Sequence, residues 1–471
     1  MTPLELRLTE WQSMSPEPGS PTEGISLGVD PTVRDLARRL SERGILEIQE
    51  LRTGLTLRST SFVGRVRLGG IEVAVVPKLP SGALLSLLRY AYSLRDLHLL
   101  PASTGIAQDL GLQDLLAWQL VEEAQRLLAR GLRRAYVRRE EALASPRGRI
   151  DFHAMAGRHA QVEAALPCVH FRRDEDRLIN RVLLAGVRLA ASVARDRRVR
   201  LRANRVGDLL GETITPIRLD RQILRRLGGE MDRTTRPYEP ALSLIRILYE
   251  GGGLSLDDGE IGPTLPGFFF DMNRFFQALL TRFLSDYLPD HDVRSEHRLT
   301  GLFAYVPGWN PCRRQPPSPR PDFVVMQGSK AVAILDAKYR DLWENPLPRD
   351  MLYQLALYAM GDEVGTSTIL YPTIHPHATE ARIEVRDPLH GGRRAMIALR
   401  PVVLDRLEGL VTARTTTAVL RERRAFAQIM VFGMASKGPA GPRPAWTPPP
   451  APSARAADGA RALKKQQYPV I

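Results

Sequence analysis

The chain has 471 residues, room for about three domains, and a net charge of +14 at pH 7. Its apolar content of 44% and charged content of 25% exclude a disordered chain and are typical of a globular protein. The surplus of cations favours a polyanionic partner, with nucleic acid the first candidate. Only six of the 66 basic residues are lysines, so the arginine usage itself could reflect the codon habit of a GC-rich genome.

The sequence has no apolar run of membrane-spanning length and no basic, then apolar, leader at its start. We therefore expect a cytoplasmic protein without membrane contact. Its two cysteines, Cys168 and Cys312, exclude a disulfide scaffold. Because no CxxC pair is present, a structural zinc site is not predicted, and His170, His375 and His377 are interpreted as ordinary residues.

The first region, residues 1–110, is predicted to be β-rich. In SFVGRVRLGGIEVAVVP the Gly69-Gly70 pair separates two alternating runs, which indicates a β-hairpin with a two-residue turn. This register pairs Leu68 with Ile71 and places Arg67 opposite Glu72, where the two charges would attract each other. The following ALLSLLRYAYSL is predicted to be a short amphipathic helix.

The middle region, residues 111–250, is predicted to be helical. LQDLLAWQLVEEAQRLLARG repeats leucine at helical spacing and should end at Gly131, and a second helix is predicted over about 175–195. The run ARDRRVRLRANR contains six arginines and one aspartate. It would suit either a phosphate backbone or a solvated helix end.

The stretch 250–267 is rich in glycine, acids and proline and indicates a linker. After it, residues 262–432 have an α/β pattern that opens on FFFDMNRFFQALLTRFLSDYL, predicted to be an amphipathic helix. Residues 436–471 are rich in proline and alanine and carry a net positive charge, which predicts a disordered basic tail. Such a tail would serve either as a DNA contact or as a plain linker.

The stretch RPDFVVMQGSKAVAILDAKYR, residues 320–340, carries charges in an otherwise apolar strand pair. With a three-residue loop that pairs Gln327 with Ala331, Asp322 lies directly opposite Asp336. Lys338 is two residues beyond Asp336 and therefore shares its face. A two-residue loop would shift the register by one and turn Asp322 away.

Two crowded carboxylates repel each other unless a cation lies between them. Oxygen ligands suit Mg²⁺ or Mn²⁺, so we assign a metal site to Asp322 and Asp336 and a catalytic role to Asp322, Asp336 and Lys338. Lys338 would orient a water or neutralise developing charge, and the predicted chemistry is phosphodiester hydrolysis. The alternative is a salt-bridged strand pair without catalysis.

Pro321-Asp322 followed by Asp336-Ala337-Lys338 resembles the motif of the PD-(D/E)XK nucleases. The resemblance implies that Ala337 joins Asp322 and Asp336 in holding the metal. Gln354 and Tyr358 lie one turn apart on the next predicted helix and resemble the QxxxY motif of the RecB-type members, which implies that they support the site. The resemblance implies an α+β multidomain protein. It would consist of a β-rich N-terminal domain, a helical middle and a C-terminal restriction-endonuclease-like domain with a central mixed sheet.

The wider sequence resembles the McrC family, the nuclease subunits of McrBC-type modification-dependent (5-methylcytosine) restriction systems. The matching pieces occur in this order: VGRVRLGGIEVAVVPKL, LLRYAYSL, SPRGRIDF, CVHFRRDEDRLINRVL, FFFDMNRFF and the nuclease motif. The resemblance implies a partner, an McrB-like AAA+ GTPase hexamer, that recognises modified DNA. The chain would dock through its N-terminal region around Arg65, Arg67 and Lys78, stimulate GTP hydrolysis and cut double-stranded, methylated DNA. Because the chain has no GxxxxGK[ST] loop, GTP would act only through the partner.

One position departs from the family pattern. Relatives carry an acid on the helix after Phe-Asp-Met-Asn where this chain has Gln277, an amide that cannot neutralise charge. This favours a one-metal site, with Glu296 as a possible substitute acid, and Asp271 is interpreted as a helix cap. Two other functions remain open: a stand-alone RecB-like repair nuclease, and a non-catalytic activator of an AAA+ ring.

Overall fold

The computed structural model describes residues 3–94, 111–156, 165–229, 232–252, 267–295, 297–361 and 365–433. The predicted basic tail, most of the predicted linker at 250–267, and Glu296 lie outside the described residues. Within these ranges no helix is both long and apolar enough to cross a membrane.

The N-terminal region is β-rich, and its Gly69-Gly70 hairpin has the predicted register. Gly69 adopts a φ of 61°, which favours glycine at this turn. Arg67 lies opposite Glu72 as predicted, but Glu72 bonds Arg195 at 2.6 Å and Arg67 Nε donates to the carbonyl of Gly69. The elements are β1 Leu4–Thr9, β2 Ser13–Met14, α1 Pro31–Glu42, β3 Leu46–Leu51, β4 Gly54–Ser59, β5 Phe62–Leu68, β6 Ile71–Val76 and α2 Ser81–Ala91.

The middle region contains a small sheet in addition to its predicted helices. The long first helix ends before Gly131, whose φ of 91° ends the helix as predicted. The arginine-rich run forms one helix that is capped by Asp196 and buries only its apolar face. The elements are α3 Leu112–Arg130, β7 Ala135–Leu143, β8 Arg149–Ile150, α4 Phe152–Ala156, β9 Leu166–Asp174, α5 Leu178–Val193, α6 Arg197–Gly211, α7 Arg221–Gly229, a 3₁₀ turn Arg236–Tyr238 and α8 Glu239–Gly252.

The C-terminal region alternates helices and strands. The predicted helix at the start of this region begins later than expected. GFFFD forms a strand, and the helix begins at Met272. The elements are β10 Gly267–Asp271, α9 Met272–Tyr287, β11 Asp292–Ser295, β12 Phe323–Gln327, β13 Lys330–Ala337, α10 Arg349–Met360, β14 Thr366–Thr373, β15 Ala381–Arg386, β16 Arg393–Val403, α11 Leu404–Thr412 and α12 Thr417–Phe432.

Two mixed sheets organise the described chain. The larger has the strand order β11-β12-β13-β14-β16-β15, with β13, β14 and β16 parallel to one another. The other has the order β1-β6-β5-β10, so β10 leaves the C-terminal region and pairs antiparallel with β5. The predicted boundary at residue 262 therefore separates two strands that are hydrogen-bonded neighbours.

A continuous apolar core connects the middle helices to the C-terminal sheet. It includes Leu116 on α3, Leu183 on α5, Phe276 on α9 and Leu335 on β13, all fully buried. Helix α9 packs against α2, α12 and β13. This packing holds the carboxyl end of β13, where Asp336 and Lys338 lie, on a rigid support.

Candidate active site

The β12–β13 hairpin brings Asp322 and Asp336 together, but not by the predicted loop. Its turn has two residues, because Gln327 pairs with Lys330 across Gly328 and Ser329. A β-bulge then occurs in β13, since Met326 pairs with Ala331 but Val325 pairs with Ala333. The extra residue shifts the register back by one. At the open end Phe323 pairs with Leu335, so Asp322 and Asp336 are adjacent after all.

Hydrogen bonds and ion pairs join the three predicted catalytic residues. The main-chain N–H of Ala337 donates to Asp322 Oδ2 at 2.7 Å. Lys338 Nζ lies 2.9 Å from Asp336 Oδ2 and 3.6 Å from Asp322 Oδ2. The structure therefore places one ammonium between two carboxylates at the end of a buried strand.

The environment of Asp336 opposes its ionisation. Its side chain is 3% exposed, whereas those of Asp322 and Lys338 are 17% and 25% exposed. Burial raises the pKa of Asp336 to about 6, with a further contribution from the Asp322 charge. Burial acts to lower the pKa of the Lys338 ammonium, but the two carboxylates outweigh it and the pKa is raised.

One oxygen of this site lacks a partner. Asp336 Oδ1 is buried, and within the described ranges it accepts no hydrogen bond. An unsatisfied buried acceptor costs roughly 1–3 kcal/mol, more if it is charged. A bound divalent cation would remove that cost, and the donor set of carboxylate oxygens suits Mg²⁺ or Mn²⁺.

The predicted supporting pair, Gln354 and Tyr358, lies on α10, which packs against β13. Gln354 Nε2 donates to the Tyr358 hydroxyl at 2.7 Å. Burial raises the pKa of Tyr358, and the charges of Asp336 and Asp322 raise it further. Tyr358 therefore lies within electrostatic range of both carboxylates.

Helix α9 contacts the site through Asn273 rather than through Gln277. The main-chain N–H of Tyr339 donates to Asn273 Oδ1 at 2.8 Å, and Asn273 Nδ2 donates to Ser61 Oγ at 2.7 Å. Gln277 is half-buried one turn further on, and its side chain forms no hydrogen bond within the described part of the chain. Asp271 is the predicted helix cap, since its carboxylate accepts from the main-chain N–H groups of Asn273 and Arg274.

The N-terminal region contacts Tyr339, the residue after Lys338. The sequence did not predict this contact. Trp11 Nε1 donates to the carbonyl of Tyr339 at 2.8 Å, and the Tyr339 hydroxyl donates to Glu10 at 3.4 Å. Burial raises the pKa of Glu10 to about 8, so its carboxyl is largely protonated at neutral pH. These contacts join residues more than 300 positions apart in the sequence, and no local sequence pattern predicts them.

A second acidic cluster lies just beyond, formed by Asp341, Glu344 and His375, whose ligand atoms are within 4.8 Å of one another. Its carboxylates are already bonded. Glu344 contacts both Lys78 and His375 at 2.9 Å, and Asp341 accepts from Thr373 Oγ1 and the Trp343 N–H. Lys78, predicted to be part of a docking surface, is thus an ion-pair link to the C-terminal region.

Comparison with solved structures gives a fold match. A chain in the refined half-complex from the tetradecameric assembly of Thermococcus gammatolerans McrB AAA+ hexamers with bound McrC aligns with a TM-score of 0.59 and 19% identity. The alignment covers 90% of this chain and 99% of that one. A chain of the cryo-EM structure of the Thermococcus gammatolerans McrBC complex aligns with a TM-score of 0.45 and 18% identity, covering 60% and 88%.

No curated protein sequence matches the chain. A sequence profile described as "McrBC 5-methylcytosine restriction system component" matches residues 57–372. That span includes the Gly69-Gly70 hairpin, the middle region and all three of Asp322, Asp336 and Lys338. It confirms the resemblance to McrC found in the sequence, and the chain belongs to the McrBC restriction-system family.

Proposed function

We propose that this chain is the DNA endonuclease subunit of an McrBC-like, GTP-dependent restriction complex and hydrolyses phosphodiester bonds of modified DNA. The observation that carries the proposal is the grouping of Asp322, Asp336 and Lys338 at the end of a buried strand. Lys338 Nζ lies within 3.6 Å of a carboxylate oxygen of each aspartate. Burial raises the pKa of Asp336, and its Oδ1 has no hydrogen-bond partner among the described residues. A salt bridge that served stability alone would gain little from burying the Asp336 carboxylate, because the loss of its hydration opposes the attraction to Lys338.

The residues at the site fit a divalent metal. Asp322, Asp336 and the main-chain carbonyl of Ala337 would hold Mg²⁺ or Mn²⁺, as in the PD-(D/E)XK nucleases that the motif resembles. When bound, such a metal would polarise a phosphate oxygen and lower the pKa of a bound water.

The chain's own groups would do the positioning. The Ala337 N–H fixes one oxygen of Asp322, so this carboxylate cannot rotate freely. Lys338, held between two acids, presents a positive charge where negative charge develops on the phosphate. Gln277 cannot neutralise a second metal, which favours a one-metal mechanism.

The proposed partner is an McrB-like AAA+ GTPase hexamer, and GTP would act only through it. The fold match is to a chain from an assembly of McrB AAA+ hexamers with bound McrC, and this chain belongs to the same family. The β-rich N-terminal region would dock on the ring and stimulate GTP hydrolysis. Through Trp11 and Tyr339 that region also contacts the strand end that carries Lys338.

Gln277, in place of an acid, is the one observation that favours a different function, that of a non-catalytic activator of the ring. The cleavage of methylated and unmethylated plasmid separates these functions. The wild type would be assayed with Mg²⁺, with and without GTP and an McrB-like partner. We expect cutting only with partner, GTP and methylation together. Cutting without the partner would favour a stand-alone RecB-like nuclease, and GTPase stimulation without cutting would favour the activator.

A further inference from the structure

A cleft of about 750 Å³ opens at the amino-terminal end of α9, and its lining does not include Asp322, Asp336 or Lys338. Five arginines from four separate parts of the chain line it: Arg43, Arg221, Arg225, Arg246 and Arg274. Arg43 follows α1, while the others lie on α7, α8 and α9. Like charges that converge on one concavity repel one another, and a bound anion would relieve that repulsion.

The two acids of the cleft offset only part of the charge of its five arginines. Glu250 pairs with Arg274 at 3.0 Å, and Asp271 accepts the main-chain N–H groups that begin α9. Arg43, Arg225 and Arg246 form no ion pair with any residue that the structure describes. The cleft therefore has a net positive charge available to a ligand.

Aromatic and aliphatic side chains also line the cleft. Phe62, Tyr92 and Tyr249 are half-buried there, whereas Phe270 is buried in the core. Arginine interleaved with aromatic rings is suited to a nucleic-acid strand, because guanidinium groups bind phosphate bidentately and rings contact bases or sugars. An inorganic phosphate alone would not need the aromatic surface.

The cleft and the candidate active site share the first turn of α9. Arg274 faces the cleft, while its neighbour Asn273 accepts the N–H of Tyr339, the residue after Lys338. Likewise Phe62 lines the cleft, while Ser61 is bonded to Asn273. A DNA strand in the cleft would thus lie against the same turn that supports the catalytic strand.

We propose that this arginine cleft binds the phosphate backbone of the DNA substrate to one side of the cleaved bond. The proposal rests on the proposed endonuclease function and adds the surface that would hold its substrate. Its contacts are with phosphates, so it supplies affinity and position rather than sequence recognition.

The test compares two double variants of the full-length chain. Arg43→Gln/Arg246→Gln removes two cleft charges, and Arg421→Gln/Arg424→Gln removes two exposed charges on α12 as a matched control. Binding of a fluorescent 30-base-pair duplex would be followed by anisotropy at several salt concentrations without divalent metal. We expect the cleft variant to bind at least about tenfold more weakly, with a salt slope reduced by about 2, and the control to match wild type.

An Arg43→Lys/Arg246→Lys variant keeps the charge and should recover part of the affinity, which excludes misfolding as the cause. Equal DNA binding by the cleft variant and wild type would overturn the proposal. So would normal DNA binding together with lost stimulation of the partner's GTPase, because that result would assign the cleft to a protein interface. Lys338→Ala should bind DNA normally without cutting it, so failure of the catalytic site is distinguished from failure of the cleft.

Discussion

The main-chain N–H of Ala337 donates a 2.7 Å hydrogen bond to the carboxylate of Asp322, fifteen residues earlier. This bond joins the start of β12 to the end of β13, the strand that carries Asp336 and leads into Lys338. It fixes the position of one acid relative to the other, so a cation would meet a preformed pair. Preorganisation of this kind is what an electrostatic catalyst requires.

Metal binding is predicted to depend on pH through Asp336. Because the pKa of this buried carboxyl is raised to about 6, a metal must displace a proton below that pH. The apparent affinity for Mn²⁺ should be about tenfold weaker at pH 5 than at pH 7. Calorimetric titration at both pH values measures this. Asp336→Asn should abolish binding while the exposed Asp350→Asn should not, and unchanged binding by Asp336→Asn would place the metal elsewhere.

The protein's stability is predicted to fall between pH 5 and 8 because of Glu10. Its pKa in the folded protein is about 8, against an ordinary value of 4.5, so the unfolded chain loses this proton first as pH rises. The protonated Glu10 carboxyl therefore makes its full contribution to the free energy of unfolding below about pH 4.5. That contribution, at most roughly 5 kcal/mol, is lost as the pH rises to about 8. Melting temperatures at pH 5.5 and 8.5 should converge in Glu10→Gln. The exposed Glu17→Gln should behave as wild type, and an unchanged difference in Glu10→Gln would refute the assignment.

The hairpin of residues 62–76 and the grouping of Asp322, Asp336 and Lys338 could be predicted because alternation and turn chemistry are local. The β12–β13 turn shows the limit. Sequence cannot reveal that a bulge near Val332 compensates for a shorter turn, since a bulge depends on how β13 packs between its neighbours.

Long-range pairing was not predictable. GFFFD reads equally well as the start of a buried helix, and only its partner strand β5, two hundred residues earlier, makes it a strand. The same holds for Glu10, Trp11 and Tyr339, whose contact depends on how two sheets meet. Local propensity carries no information about either.

Trp11 is predicted to position the catalytic strand from the N-terminal region. Trp11→Phe keeps an aromatic ring but leaves the carbonyl of Tyr339 without its donor, at a cost of about 1 kcal/mol. We expect slower cleavage with unchanged DNA affinity, measured under single-turnover conditions beside anisotropy. Trp118→Phe, on α3, is the matched control. If both variants cut at the wild-type rate, the contact serves stability alone.

Gln277 is predicted to be dispensable for metal chemistry. Gln277→Ala should keep cleavage within about tenfold of wild type, since an amide contributes no charge to a metal site. The rate should rise with Mg²⁺ along a simple hyperbola, as expected for one ion. A loss as large as that of Asp336→Asn, or a sigmoidal Mg²⁺ dependence, would require a second metal and a direct role for this residue.

Asp322, Asp336 and Lys338 are predicted to form a metal-dependent nuclease site. The most direct measurement is cleavage of methylated plasmid by Lys338→Ala and Lys330→Ala, each with Mg²⁺, GTP and the McrB-like partner. Lys330 lies at the opposite end of the same strand and controls for loss of a lysine. We expect Lys338→Ala to cleave at least about 100-fold more slowly with DNA binding intact, since loss of one group that stabilises the transition state has an effect on this order. A Lys338→Ala protein that cuts as fast as Lys330→Ala would contradict the account.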